Sequence, residues 1–240
     1  MAQFNITAPP GDNGKEQDGK YEPACRLVSL FTASGEEDTT YEIALKLGRK
    51  AASNGETVLI LDAVDGKMLS HAGIVYSRTL DDVVQGTAKL KDALFVTSNE
   101  HFTAGAVSRD GLDNALGLLA ALSLSYDWVF VIPKSGCDPV HVRLGAASDV
   151  SIISYATQAD KFMRAFWMID ALRRRNPHFD PLILSNGEAG DAAETAHMLS
   201  ETVREYLGAP PPYAGHMDDV DIVSTLLEKM RVLSDRRVVA

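Results

Sequence analysis

The chain has 240 residues, 45% of them hydrophobic, a formal net charge of −10 and a sequence pI near 5.0; that length and composition support one domain with a sizeable core. The acidity argues against general DNA binding, which needs a concentrated basic surface. Two cysteines, Cys25 and Cys137, are too few for a disulfide framework and fit a reducing cytoplasm, and the sequence has neither a signal-peptide pattern nor a run of about 18 apolar residues, so a soluble cytoplasmic protein is expected.

Residues 1–22 are rich in Gly, Pro, Asn and charge and read as a flexible tail ahead of a single domain over 23–240. From there, apolar runs of strand length alternate with longer amphipathic stretches. Strands are predicted at 26–33, 57–62, 93–97, 127–132, 150–155 and 181–185. They are nearly continuous in apolar character, as strands buried on both faces of a parallel sheet are. Helices are predicted at 39–53, 79–85, 110–124, 157–175, 190–207 and 219–233. The first has Ile43, Leu45 and Leu47 on its buried side and Asn54-Gly55 as its stop. This alternation predicts a three-layer α/β domain, a doubly wound, mostly parallel sheet flanked by helices.

The segment Leu27–Asp62 carries the most chemical information. An apolar strand enters a short turn, Ser34-Gly35-Glu36-Glu37-Asp38; Thr39-Thr40 open a helix, and a second apolar strand ends in Asp62. That is the order of a βαβ unit that holds phosphate at a helix N-terminus. A phosphate cradle needs backbone N–H groups and a nearby cation. This turn has no lysine and three carboxylates.

These residues resemble the MinD/ParA group of deviant-Walker P-loop ATPases, and within it the FlhG branch that places flagella. Such proteins carry S-G-K-G-G-V-G-K-T-T between the first strand and helix. Ser34-Gly35 and Thr39-Thr40 match the two ends, with three residues between them in place of six and both lysines absent. Val58 to Gly66 (VLILDAVDG) is similar to the family's second strand and puts Asp62 on its Asp. Thr79 to Gly86 and Leu90 to Leu94 resemble the stretch TL-x-DVL-x-G…LEDAI. Tyr126 to Ile132 resembles the strand before the Walker B Asp, where Pro133 now stands. Leu182 to Asn186 resembles the strand ending in the Asn that contacts adenine, and Tyr206 to Asp218 resembles the C-terminal FlhG pattern. The resemblance spans roughly 26 to 230. It implies the P-loop NTPase fold and a vestigial nucleotide site made of Ser34, Gly35, Glu36, Glu37, Asp38, Thr39, Thr40, Asp62, Pro133 and Asn186. With the lysines and the Walker B Asp missing, no catalytic residue, no ATPase activity and no cofactor are expected, retained ATP and magnesium binding being the lesser reading.

Simpler roles compete at each position. Asp38 or Thr39 can cap the helix, and acids favour a helix N-terminus, so a carboxylate would itself fill the anion position. Asp62 reads as a turn acid or cap, and Asn186 as a cap of the following turn. Cys137 and His141 lie four apart after the fourth core strand and offer a nucleophile–base pair or half a metal site; Pro139 between them argues against helical geometry there, and a loop cysteine and a loop histidine are the simpler reading. Lys161, Arg164 and Arg173-Arg174-Arg175 form the basic stretch, read as a solvated face with an anionic partner surface as the second reading. Phe162, Phe166 and Trp167 beside them read as core. Val220 to Leu233 lacks a strongly basic face and is expected to pack on the domain rather than anchor in a membrane.

The expected role is a catalytically dead cytoplasmic scaffold or regulator of flagellar or polar assembly. It would act through protein partners, an active relative or a homodimer, without nucleic acid. The alternatives are a TadZ/CpaE-like pilus or secretion localisation factor and a weak nucleotide-dependent switch.

Overall fold

The computed structural model describes residues 25–33, 37–97, 101–108 and 110–238. The tail expected at 1–22 and the turn residues Ser34, Gly35 and Glu36 lie outside the described residues. In chain order the elements are β1 (Arg26–Thr32), α1 (Glu37–Ser53), β2 (Val58–Ala63), α2 (Lys67–His71), α3 (Leu80–Val84), α4 (Leu90–Ala93), β3 (Leu94–Val96), β4 (Thr103–Ala106), α5 (Leu112–Leu122), β5 (Trp128–Pro133), α6 (Pro139–Ala147), β6 (Val150–Ala156), α7 (Ala159–Arg173), β7 (Leu182–Asn186), α8 (Ala189–Leu207), β8 (Tyr213–His216) and α9 (Ile222–Val238).

The strands form one eight-stranded sheet in the order β3-β4-β2-β5-β1-β6-β7-β8. Every pairing is parallel except β3 with β4. The central strands β2, β5, β6 and β7 are buried along their whole length, which explains their nearly continuous apolar character. Alternate residues of each strand feed two cores. On one face, Val28, Leu30, Ile60 and Phe130 meet α1, α2 and α9 through Ile43, Leu47, Met68, Leu226 and Met230. On the other, Phe31, Leu61, Val131 and Ile153 meet α5 to α8 through Leu119, Leu144, Ile169 and Leu199. The doubly wound architecture expected from the alternation is the one observed.

The six predicted strands and six predicted helices are present, with ends shifted by a few residues. Among the described residues, two further strands and three further helices have no clear signal in the sequence. β4 (TAGA) and β8 (YAGH) have four residues each and little apolar bulk; neighbouring strands, not their own propensity, hold them. α2 and α4 have five and four residues, too short for a helical period to show. α6 corrects the reading of Pro139. The proline stands in the first turn, where its missing N–H costs nothing, and Asp138 is the N-cap, so Pro139 starts a helix. Two smaller expectations also change. Val220 is fully exposed and precedes α9, which packs through Ile222, Leu226, Leu227 and Met230 instead. Trp167 is 58% exposed and is not core, whereas Phe162 and Phe166 are partly buried and pack on the core.

Candidate functional site

In an open parallel sheet, ligands bind beyond the carboxyl ends of the strands, where the winding reverses. Here that point is β1, which has β5 on one side and β6 on the other. The chain leaves β1, forms α1 and returns as β2 beyond β5. The carboxyl edge therefore brings together Thr32 of β1, Asp62 and Ala63 of β2, Pro133 of β5 and the first turn of α1. Ala63 and Pro133 are register partners. Asn186 ends β7, two strands from β1.

Glu37 is the first residue of α1. Its carboxylate accepts the Tyr41 hydroxyl at 3.0 Å on one oxygen and the Ser135 hydroxyl at 3.3 Å on the other. Lys67, at the start of α2, places its ammonium 3.7 Å away. One carboxylate thus joins the head of α1, the turn after β5 and α2, at the positive end of the α1 dipole. Burial, followed by the Glu37 charge, pushes the Tyr41 phenol up, so Tyr41 stays a donor. Asp38 is exposed and Thr39 half-buried. Thr40 is fully buried and accepts the Thr32 hydroxyl at 2.7 Å, which closes the base of the turn on itself.

Asp62 is fully buried. One of its oxygens accepts the backbone N–H of Val64 at 2.8 Å and of Gly66 at 3.2 Å; the other accepts that of Leu69 at 2.9 Å. The side chain therefore organises its own loop and the first turn of α2. Burial pushes its carboxyl up, and the backbone N–H donors pull the other way. Gly66 sits at φ 75°, in the left-handed region, against the ring of Tyr76: a Cβ there would lie 1.9 Å from the Tyr76 hydroxyl.

Asn186 is 1% exposed, and its amide donates to Ser154 of β6 at 3.1 Å. Its backbone carbonyl accepts the Thr157 N–H at 2.9 Å. The amide is thus tied to the neighbouring strand, 32 positions away in sequence.

Cys137 and His141 do not pair through the imidazole, which is held by the backbone on both sides. His141 is fully buried in α6; its Nδ1 accepts the Asp138 N–H at 3.0 Å, and its Nε2 donates to the Lys134 carbonyl at 2.8 Å. One nitrogen accepting and the other donating defines a neutral ring, in keeping with burial lowering its pKa. Burial also raises the Cys137 thiol and pushes Cys25 up to about 12, so neither is a ready thiolate. Among the described residues no group of three or more His, Cys, Asp or Glu side chains is placed to hold a metal ion, and no helix is long and apolar enough to cross a membrane.

The sequence located Glu37, Thr40 and Asp62 but not their partners. Ser135 and Lys67 lie 98 and 30 positions from Glu37, and only the crossover from β1 to β2 makes them neighbours. A Ser or Lys just past the end of a core strand was the one available sign.

No family model matches the chain, and no curated protein matches it. Solved structures do. A plasmid partition protein from Borrelia burgdorferi B31, bound to AMPPNP, aligns with a TM-score of 0.64 at 11% identity, covering 87% of this chain and 98% of that one. A ParA family ATPase from Chlorobium tepidum TLS aligns at 0.63 and 20% identity, covering 88% and 91%. MinD from Aquifex aeolicus, in a MinC:MinD cell division complex, aligns at 0.60 and 16% identity, covering 90% and 96%. At such identities the likeness is one of fold: the chain has the architecture of the ParA/MinD P-loop ATPases.

Proposed function

We propose that this ParA/MinD-fold chain is a nucleotide-independent scaffold or regulator that works through protein contacts, in flagellar or polar assembly placement. The flagellar role rests on the sequence resemblance to the FlhG branch; fold alone does not fix function. The observation that carries the proposal is the Glu37 carboxylate at the head of α1, within reach of Tyr41, Ser135 and Lys67. In this reading that carboxylate takes the place of the anion a helix N-terminus can receive.

The rest of the carboxyl edge supports the same reading. A bound nucleotide needs backbone N–H groups and cations free to meet phosphate. Here Lys67 faces Glu37, and Lys134 pairs with Asp138 at 3.0 Å. Asp62, the residue matching the family's water- and metal-orienting Asp, already accepts three backbone N–H groups. These residues do not fit a nucleotide with magnesium. In this reading the crevice is held in one state by internal bonds, and the surfaces around it are permanently available to partners. The solved MinC:MinD complex is a precedent for a protein of this fold holding a protein partner.

Calorimetric titration with ADP and with ATP plus magnesium tests the proposal. No heat up to about millimolar nucleotide is the expected result, and a dissociation constant of about micromolar would overturn it.

A further inference from the structure

The two ends of the sheet are finished differently. At one end β8 carries a bulge against β7, and the Lys229 ammonium of α9 donates to the Tyr213 and Ala214 carbonyls at 3.3 and 3.0 Å. Bulges and lysines are devices that keep an edge strand from pairing further. β3, at the other end, pairs with β4 in regular register, and among the described residues no lysine reaches its carbonyls. Thr97 donates its N–H to the Phe102 carbonyl at 3.0 Å. Hydrogen-bonded pairs alternate along an antiparallel ladder, so Phe95 bonds to Ala104 and Val96 turns its N–H and C=O outward, away from β4. The surroundings are apolar. Val96 is 80% exposed, Val75 is 92% exposed, and the Tyr76 and Phe95 rings lie 6.3 Å apart between centroids. Ser70, Gly73, Ile74, Val75 and Tyr76 line a groove of about 330 Å³ there.

We propose that residues 2–7 of this chain dock on the outer side of β3 as a further strand. Residues 1–24 lie outside the described residues, and their sequence carries the argument. Ala2, Phe4 and Ile6 alternate with Gln3, Asn5 and Thr7, and Pro9-Pro10 close the run. Strict alternation of this kind belongs to a strand with one apolar face. In the register that lays Phe4 and Ile6 over Phe95, Tyr76 and the groove, the polar residues face away; a slip by one would expose both apolar side chains. The tether has the matching length. β3 runs against β4, so Val96 lies at the sheet edge where β1 begins and the tail enters. The position beyond β3 is five strand spacings from β1, about 24 Å. The seventeen residues 8–24 make a Gly-containing tether with a root-mean-square span of about 23 Å. A contact along a three-residue strand is weak between separate molecules, but a tether matched to its span supplies an effective concentration of about millimolar. That favours the chain's own tail over a second copy. The tail thereby covers an edge that is otherwise open to strand addition by other chains. The proposal uses none of the groups on the Glu37 carboxylate and does not depend on how that crevice treats nucleotide.

Amide hydrogen exchange of the full chain, read residue by residue by NMR, tests it. The Val96 N–H finds a partner only if a strand lies outside β3, whereas Phe95, bonded to Ala104, is the internal control. The expected result is Val96 protected at least about tenfold over an exposed amide. That protection should be constant between about 20 and about 200 µM protein, as a tethered contact requires. The double variant Phe4→Asp with Ile6→Asp should abolish it and leave Phe95 unchanged. Val75→Asp, a substitution at an exposed side chain of the groove, should lower it as well. Three results would overturn the proposal: Val96 exchanging as an exposed amide in the parent, protection indifferent to the Phe4 and Ile6 changes, or protection that grows with concentration and so belongs to a second copy.

Discussion

Ser135, in the turn after β5, donates its hydroxyl to the Glu37 carboxylate at the head of α1, 3.3 Å away and 98 positions distant in sequence. The bond ties two strand ends that face each other across the winding point of the sheet. With Tyr41 and Lys67 on the same carboxylate, it makes Glu37 a structural anion.

Glu37→Gln should therefore lower stability at neutral pH. The charge, not only the acceptor, faces the Lys67 ammonium and the α1 dipole, so the loss should be about 0.5–1.5 kcal/mol after allowance for solvent screening. Urea unfolding of the variant against the parent measures it. Unchanged stability would show that Glu37 is an ordinary surface acid and would remove the main support for a self-filled crevice.

Asp62→Asn should cost more, about 2–4 kcal/mol, because the new amide would turn an N–H toward backbone donors in a buried site. The same variant should leave the nucleotide titration as it was. Loss of stability with no change in the titration separates a loop-organising aspartate from a catalytic one.

Thr32→Val and Thr40→Val each strand one buried hydroxyl, at about 1–3 kcal/mol, while the double variant removes both partners and should cost less than the sum. A coupling of at least about 0.5 kcal/mol in the double-mutant cycle is expected. Strict additivity would mean the 2.7 Å contact does not stabilise the fold.

His141 predicts a pH dependence. Burial lowers its pKa in the folded chain, so the unfolded chain takes up a proton first as pH falls. Stability is fully present above the unfolded value of about 6.5 and is lost as pH drops below it toward the folded value. His141→Gln should flatten the fall in melting temperature between about pH 7 and pH 5. Asp138 and Lys134 flank the ring, and equal slopes in parent and variant would assign the acid sensitivity to other groups.

The layered fold was legible because a strand buried on both faces has little room for polar residues. The sequence states this plainly in VLILDA of β2 and WVFVIP of β5. The edges were not legible: β4 and β8 are held by their neighbours, and a four-residue strand leaves no period to read. Pro139 misleads because proline breaks a helix only from within, and nothing but Asp138 signals that a helix begins there. At the site, the missing lysines and the turn-forming part of Asp62 were readable, since both depend on nearby residues. The environment of Glu37 was not, because it is assembled from three separate segments.

α9 lies on the face built around α1, where Leu226, Leu227 and Met230 are fully buried. Arg231 reaches back 175 positions to Glu56 at 2.6 Å, and its guanidinium lies 5.9 Å from the centroid of the Trp128 ring. During synthesis, α1 and the central strands leave the ribosome long before their covering helix exists. The nascent chain carries an uncovered apolar face until α9 is made, so this half of the molecule closes later than the strands beneath it are complete. Chaperone dependence and sensitivity to loss of α9 should both concentrate there.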